Sequence, residues 1–277
     1  MPILEIFREA IKVTLLVFLM MVIIDFIDVK TQGRLHNLVK GRLWRQYTTA
    51  SFLGVTPGCL GAFMNVTLYI HGFISFGAIA AGMIATSGDE AFVMLIKFPK
   101  QALLLFVVLF IVAIPIGWLV DKIIAKLHII PCEDCDLHKI HLEEKERGHY
   151  LKVHVWNHIL KNHLWRVFLW TFFALLLVQT GLDYWHLENF VKEHLGVVLI
   201  LSVLVGIIPE SGPHLVIVMM FADGLIPFSV LLASSIAQDG HGMLPLLSYT
   251  MKDALLIKIF NIGAALVVGG TVYLAGW

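Results

Sequence analysis

The sequence predicts an all-α polytopic membrane protein built from two inverted repeats with broken or re-entrant helices. Three observations carry that expectation. Of the 277 residues, 58% are hydrophobic and 14% charged, where soluble domains run at about 25% charged, and the mean hydropathy is +0.85. Residues 54–106 align with 206–258 at a constant offset of 152, without a gap. Proline and glycine interrupt both halves at matching places inside otherwise apolar tracts, where they break the helical hydrogen-bond ladder.

The same numbers exclude several classes. Net charge is zero and the pI about 7.2, so no basic surface is expected for nucleic acid. The chain has no GxxxxGK[ST] loop for ATP and no HExxH metalloprotease motif, so any pumping must draw on a gradient or a separate subunit. Three cysteines are too few for a disulfide framework. The bilayer is the expected solvent.

In chain order, the apolar run after EIFREAIK continues into Asp25 and a basic loop without a small-residue cleavage site, and reads as a retained first helix. Entry helices are expected near 10–27 and 164–182. Broken helical regions follow at about 45–70, interrupted by GVTPG, and 195–222, interrupted by GIIPESGP. Short apolar stretches at 73–86 and 225–237 come next, too short to span comfortably. Each stops at a polar tetrad, Ser87-Gly88-Asp89-Glu90 or Asp239-Gly240-His241-Gly242. Long closing helices are expected over 101–125 and 252–275. Whether 73–97 and 225–251 fully span or re-enter stays open. The chain therefore divides into a first membrane repeat (1–127), a His/Cys-rich linker (128–163) and a second membrane repeat (164–277).

The repeat rests on 15 identities in 53 positions, among them Gly54, Pro57, Gly72 and Gly88 with Gly206, Pro209, Gly224 and Gly240. Composition inflates apolar matches but does not align glycines and prolines. Orientation follows from charge. Loop 28–46 carries Lys30, Arg34, Lys40, Arg42 and Arg45 against Asp28, whereas loop 183–194 carries Asp183, Glu188 and Glu193 against Lys192. Lys and Arg stay cytoplasmic, so the halves are expected to run oppositely, with the linker cytoplasmic and both termini outside.

Ionisable groups inside a membrane protein are costly unless paired or hydrated, and so point to function. The tetrads place Asp89 opposite His241, Ser87 opposite Asp239 and Thr86 opposite Gln238 in the alignment. At the breaks, Glu210 and His214 flank Pro209-Glu-Ser-Gly-Pro213 with the i, i+4 spacing of one helical face, and Cys59 and Asn65 accompany Pro57-Gly58. The candidate ligands are Asp89, Glu90, Glu210, His214, Asp239 and His241, with Cys59, Ser87 and Gln238 beside them. Carboxylates suit Mg, Ca and Mn, and imidazole extends the range toward Fe, Ni and Zn. The linker adds Cys132-x2-Cys135-x2-His138-x2-His141, a spacing that can hold Zn or another soft metal or else belong to a solvated helix. Asp25, Asp28 and Asn261 read as helix-packing or interfacial residues.

The tracts GVTPGCLGAF, SFGAIAAGMIATSGDEAFVML and GIIPESGPHLVIV…IPFSVLLASSIAQDGHGMLPLL resemble a prokaryotic family of ten-transmembrane heavy-metal exporters, whose members carry manganese-transporter and arsenic-efflux labels. The resemblance covers both repeats. It implies a multi-pass protein of the prokaryotic cytoplasmic (inner) membrane with five helices per half, about ten membrane segments. The expected activity is export of a divalent heavy metal, manganese first, by alternating access with proton coupling. No tightly bound cofactor is expected, and the partners are lipid and metal ions, with homo-oligomerisation open. Three other readings remain: efflux of arsenite or another anion through Lys97, Lys100 or Lys252; a membrane-embedded metal-dependent hydrolase; and a non-transporting sensor built on the linker.

Overall fold

The computed structural model describes residues 42–70, 72–131, 193–209 and 211–277, with scattered helical positions between 4 and 15 and between 168 and 191. Most of both expected entry helices, the linker ligands Cys132, Cys135, His138 and His141, and Glu210 lie outside the described residues. Ten α-helices and no strand occur among those described.

Helix α1 (Leu43–Val55) ends ahead of Pro57, which has no N–H to extend the ladder. Gly58 then turns the chain at φ +99° into α2 (Leu60–Ile70). The nine-residue α3 (Phe76–Ile84) is capped by Ser75, whose side chain accepts from the Ala78 N–H. Eight-residue α4 (Glu90–Lys97) follows, then the 28-residue α5 (Pro99–Lys126), opened by a proline at its first position.

The second half repeats the order. It contains α6 (Leu195–Gly206), α7 (Ser211–Ala222), α8 (Phe228–Ala237), a 3₁₀ turn at Gly240–Gly242, α9 (Met243–Tyr249) and α10 (Met251–Leu274). Helix starts recur at the offset found in the sequence, Leu43 with Leu195, Phe76 with Phe228, and Pro99 with Met251. So do the left-handed glycines: Gly72 and Gly224 both sit at φ +71°, and Gly88 and Gly240 at +58° and +54°.

Only α5 and α10 are long and apolar enough to cross a bilayer by length and composition among the described helices. Leu103, Leu104, Val107 and Ile111 of α5 and Leu255, Ile259, Leu266 and Val267 of α10 are exposed, an apolar surface of the kind that lipid covers. By contrast α3, α4, α8 and α9 reach no more than about 15 Å at 1.5 Å per residue, half the hydrocarbon thickness. The first tetrad is divided: Ser87, Gly88 and Asp89 lie in the connecting turn, and Glu90 opens α4.

Within each half the inner helix packs against the outer ones, α3 against α1 and α5, α8 against α6 and α10. Small residues set these crossings. A Cβ on Gly54 would strike the Gly82 carbonyl and Ala85, and one on Gly206 would strike Ala237. Gly117 approaches Gly77 and Ala81, and Gly269 approaches Ala233. All four of these contacts are built from repeat-related positions. Apolar burial gives helices little reason to associate in lipid, so close backbone approach supplies the packing energy.

The halves also exchange elements. Helix α4 packs against α7, and its counterpart α9 packs against α2, the reciprocal pattern of an isologous contact. Phe98 and Phe221 meet edge to face at 4.9 Å across this seam. One apolar core therefore holds residues of both halves, including Phe92, Met94, Leu215, Met219, Leu231 and Ile236. Two acids pin the long helices to neighbouring segments. Asp121 of α5 accepts from Tyr47 Oη (2.7 Å), Ser75 Oγ (2.6 Å) and the Gly77 N–H (2.6 Å). Asp253, in the first turn of α10, accepts from Tyr69 Oη at 2.6 Å.

The glycine contacts give the first prediction. Gly54→Val should cost about 1–3 kcal/mol by overpacking, lowering the Tm of the detergent-purified protein. Gly263→Ala, where an added Cβ meets nothing within 4 Å, should leave Tm unchanged or slightly raised. Equal behaviour of the two variants would remove the packing role assigned to Gly54.

Candidate functional site

The two hairpin tips, one between α3 and α4 and one after α8, converge in the interior. Breaking α1 at Pro57 leaves its last carbonyls without helical donors. The first tip supplies donors: the Ser87 N–H gives to the Gly54 carbonyl at 3.2 Å and Ser87 Oγ to the Val55 carbonyl at 3.2 Å. In return the Gly58 N–H donates to the Gly88 carbonyl at 2.9 Å. Gly88 must carry positive φ to make this turn, and a Cβ there would collide with the Glu90 carboxylate. Asp89 emerges beside the break, where the Cys59 thiol donates to its Oδ1 at 3.0 Å.

At the second tip Asp239 is wholly buried. The Lys258 ammonium pairs with its Oδ2, and Asn261 Nδ2 donates to its Oδ1. Both partners stand on the same face of α10, three residues apart. Lys258 Nζ also donates to the Gly206 carbonyl at 3.3 Å, at the C-terminal end of α6.

The tips touch each other through equivalent residues. Gln238 Nε2 donates to the Thr86 carbonyl at 3.0 Å, a bond between positions 152 apart, which is the repeat offset. Thr86, Ser87, Asp89, Glu90, Gln238 and Asp239 are all at most 6% exposed.

His214 lies alongside. Its Nδ1 is 2.7 Å from Ser234 Oγ, and that hydroxyl spends its own hydrogen on the Ser202 carbonyl at 3.1 Å. Ser234 must therefore accept from Nδ1–H, and in the neutral imidazole the lone pair then sits on Nε2. Nε2 has no hydrogen-bond partner among the described residues. A neutral imidazole fixed through Nδ1 is the form that ligates metals.

The sequence-derived ligand set is thus partly gathered. Cys59 joins Asp89, Gln238 bridges the tips, and His214 is tied to α8. No three His, Cys, Asp or Glu side chains come together as a metal cluster among the described residues. The His241 side chain, like Glu210, is outside them. Sequence reasoning missed Lys258 altogether and read Asn261 as a helix-packing or interfacial residue; the fold places both on Asp239. A lysine within the otherwise apolar run DALLIKIFN was the available signal. Lys100 and Lys252, considered for an anion, are exposed.

Breaking a buried pair strands the remaining charge, so Asp239→Asn should destabilise by about 3–5 kcal/mol. The double change Asp239→Asn/Lys258→Met removes both charges and should recover most of that loss in chemical or thermal unfolding. Additive losses would mean that the two side chains are not coupled.

No curated protein and no solved structure matches the chain. A family model does, over residues 3–170 and again over 140–275. The two matches together run through both halves and the segment between them. The chain belongs to the family described as "Putative, 10TM heavy-metal exporter".

Proposed function

We propose that this exporter carries a divalent metal, manganese first, by alternating access between two inverted repeats. The observation that carries the reading is the Gln238–Thr86 contact, which brings two buried, chemically polar hairpin tips together at repeat-equivalent positions. Broken helices meeting at the repeat interface are where secondary transporters bind their substrates. Polar backbone at membrane depth is tolerated only where protein buries it or where it lines a wet cavity. The reciprocal α4–α7 and α9–α2 packing supports a two-fold relation. The opposite charge bias of loops 28–46 and 183–194 supports an axis in the membrane plane, with the linker cytoplasmic and the termini outside.

Asp89 and Asp239 supply carboxylates, and His214 supplies an imidazole nitrogen. Glu90, Glu210, His241, Ser87, Gln238 and Cys59 complete the donor set as the pathway rearranges. Mixed carboxylate and imidazole donors with a single thiol fit Mn²⁺ better than they fit thiophilic ions. Protonation of the same carboxylates and imidazoles would release the ion, coupling export to proton entry. The linker residues Cys132, Cys135, His138 and His141 would load or sense metal on the cytoplasmic side.

The test is total metal content of cells expressing wild type, Asp89→Asn or His214→Ala, grown with added Mn²⁺, Zn²⁺, Fe²⁺ or arsenite. Wild type should lower cell manganese several-fold, and both variants should lose most of that effect while present in the membrane at wild-type level. Depletion of arsenic instead of manganese would move the substrate to the anion class. Undiminished export by Asp89→Asn would remove that residue from the pathway.

A further inference from the structure

The two tips share a fold but not a charge arrangement. Asp239 is held by Lys258 and Asn261. In the first repeat the positions equivalent to Lys258 and Asn261 are Phe106 and Leu109, and the position equivalent to Asp239 is Ser87. The first half nevertheless builds the same hairpin, packed in the same way against its closing helix. The fold therefore does not require an ion pair at this place, and burying one is a weak source of stability. Its presence in one repeat alone calls for another reason.

We infer that Lys258 is a tethered counter-cation, which occupies Asp239 while the site is empty and which the transported metal must displace. The inference rests on the metal-export reading and specifies how its site is regulated. The geometry supports exchange in three ways. Asp239 is inaccessible to bulk cations, so a resident ammonium keeps a carboxylate without water from standing uncompensated. Lys258 has a second acceptor, the Gly206 carbonyl at 3.3 Å, at the negative end of α6. An ammonium pushed off the carboxylate keeps that bond. Asn261 holds the other carboxylate oxygen, so Asp239 stays oriented when its cation changes. Lys258 thereby lowers metal affinity and speeds release, and it returns the emptied carrier to a neutral site that can reorient.

The test uses the full chain, purified in detergent for Mn²⁺ titration and reconstituted in liposomes for Mn²⁺ flux. Lys258→Gln, which removes the competitor, should bind Mn²⁺ at least ten-fold more tightly and transport at least ten-fold more slowly. Lys258→Arg, which can hold the carboxylate through two N–H groups, should shift affinity the other way, to several-fold weaker binding. A residue with only a structural role would not move affinity in opposite directions. If Lys258→Gln is lost to misfolding, Lys258→Arg keeps the charge and decides the matter alone. Unchanged or tighter Mn²⁺ binding by Lys258→Arg overturns the inference, as does unchanged or weaker binding by folded Lys258→Gln. Wild type that neither binds nor moves Mn²⁺ overturns the manganese reading on which this inference is built, and the inference falls with it.

Discussion

The hydrogen bonds between the Gly88 tip and the carbonyls freed at the α1–α2 break govern where everything else must lie. A helix interrupted in an apolar environment leaves backbone groups that water cannot satisfy. Here the Pro57 break and the first tip satisfy each other, with Gly54 and Val55 accepting from Ser87 and Gly88 accepting from Gly58. That pairing is feasible only because Gly54 lets α1 press against Gly82 and Ala85. Once α3 is fixed at this depth, its short length leaves Thr86 inside, and α8 arrives opposite it through Gln238.

Repetition supplies the frame and divergence supplies the chemistry. Positions that set helix crossings, such as Gly117 with Gly269 and Ala81 with Ala233, keep small residues in both halves. Positions that set charge do not. Phe106 is matched by Lys258, Leu109 by Asn261, Ser87 by Asp239 and Gly82 by Ser234. The changed residues fall around the second tip. They give it an ion pair and a histidine of fixed tautomer, where the first tip has Asp89 with Cys59.

Much of the frame was legible in the sequence because its causes are local. Pro57 and Pro209 each stand in a gap between two helices, and the breaks fall where GVTPG and GIIPESGP stand. The closing helices follow from uninterrupted apolar length, and the paired glycines from backbone geometry alone. The site was legible only by residue type. Asp89, His214 and Asp239 are conspicuous as polar residues in apolar tracts, but their partners are set by distant contacts. Lys258 lies 19 residues from Asp239 and Tyr69 lies 184 from Asp253, and no spacing rule connects either pair. Comparing repeats by identity also hid Lys258, since it stands where the halves differ. The Ser202–Ser234–His214 chain was out of reach for the same reason, since it joins three helices through single atoms.

The convergence of the two tips is the claim on which the functional account turns, and a cross-link tests it most directly. In a full chain with Cys132 and Cys135 changed to Ser and a protease site inserted in the linker, Thr86→Cys and Gln238→Cys are introduced together. The account predicts that mild oxidation keeps the cleaved halves joined at full-length mobility and that reductant separates them. The single change Gln238→Cys should not join them. Halves that separate under oxidation would contradict it.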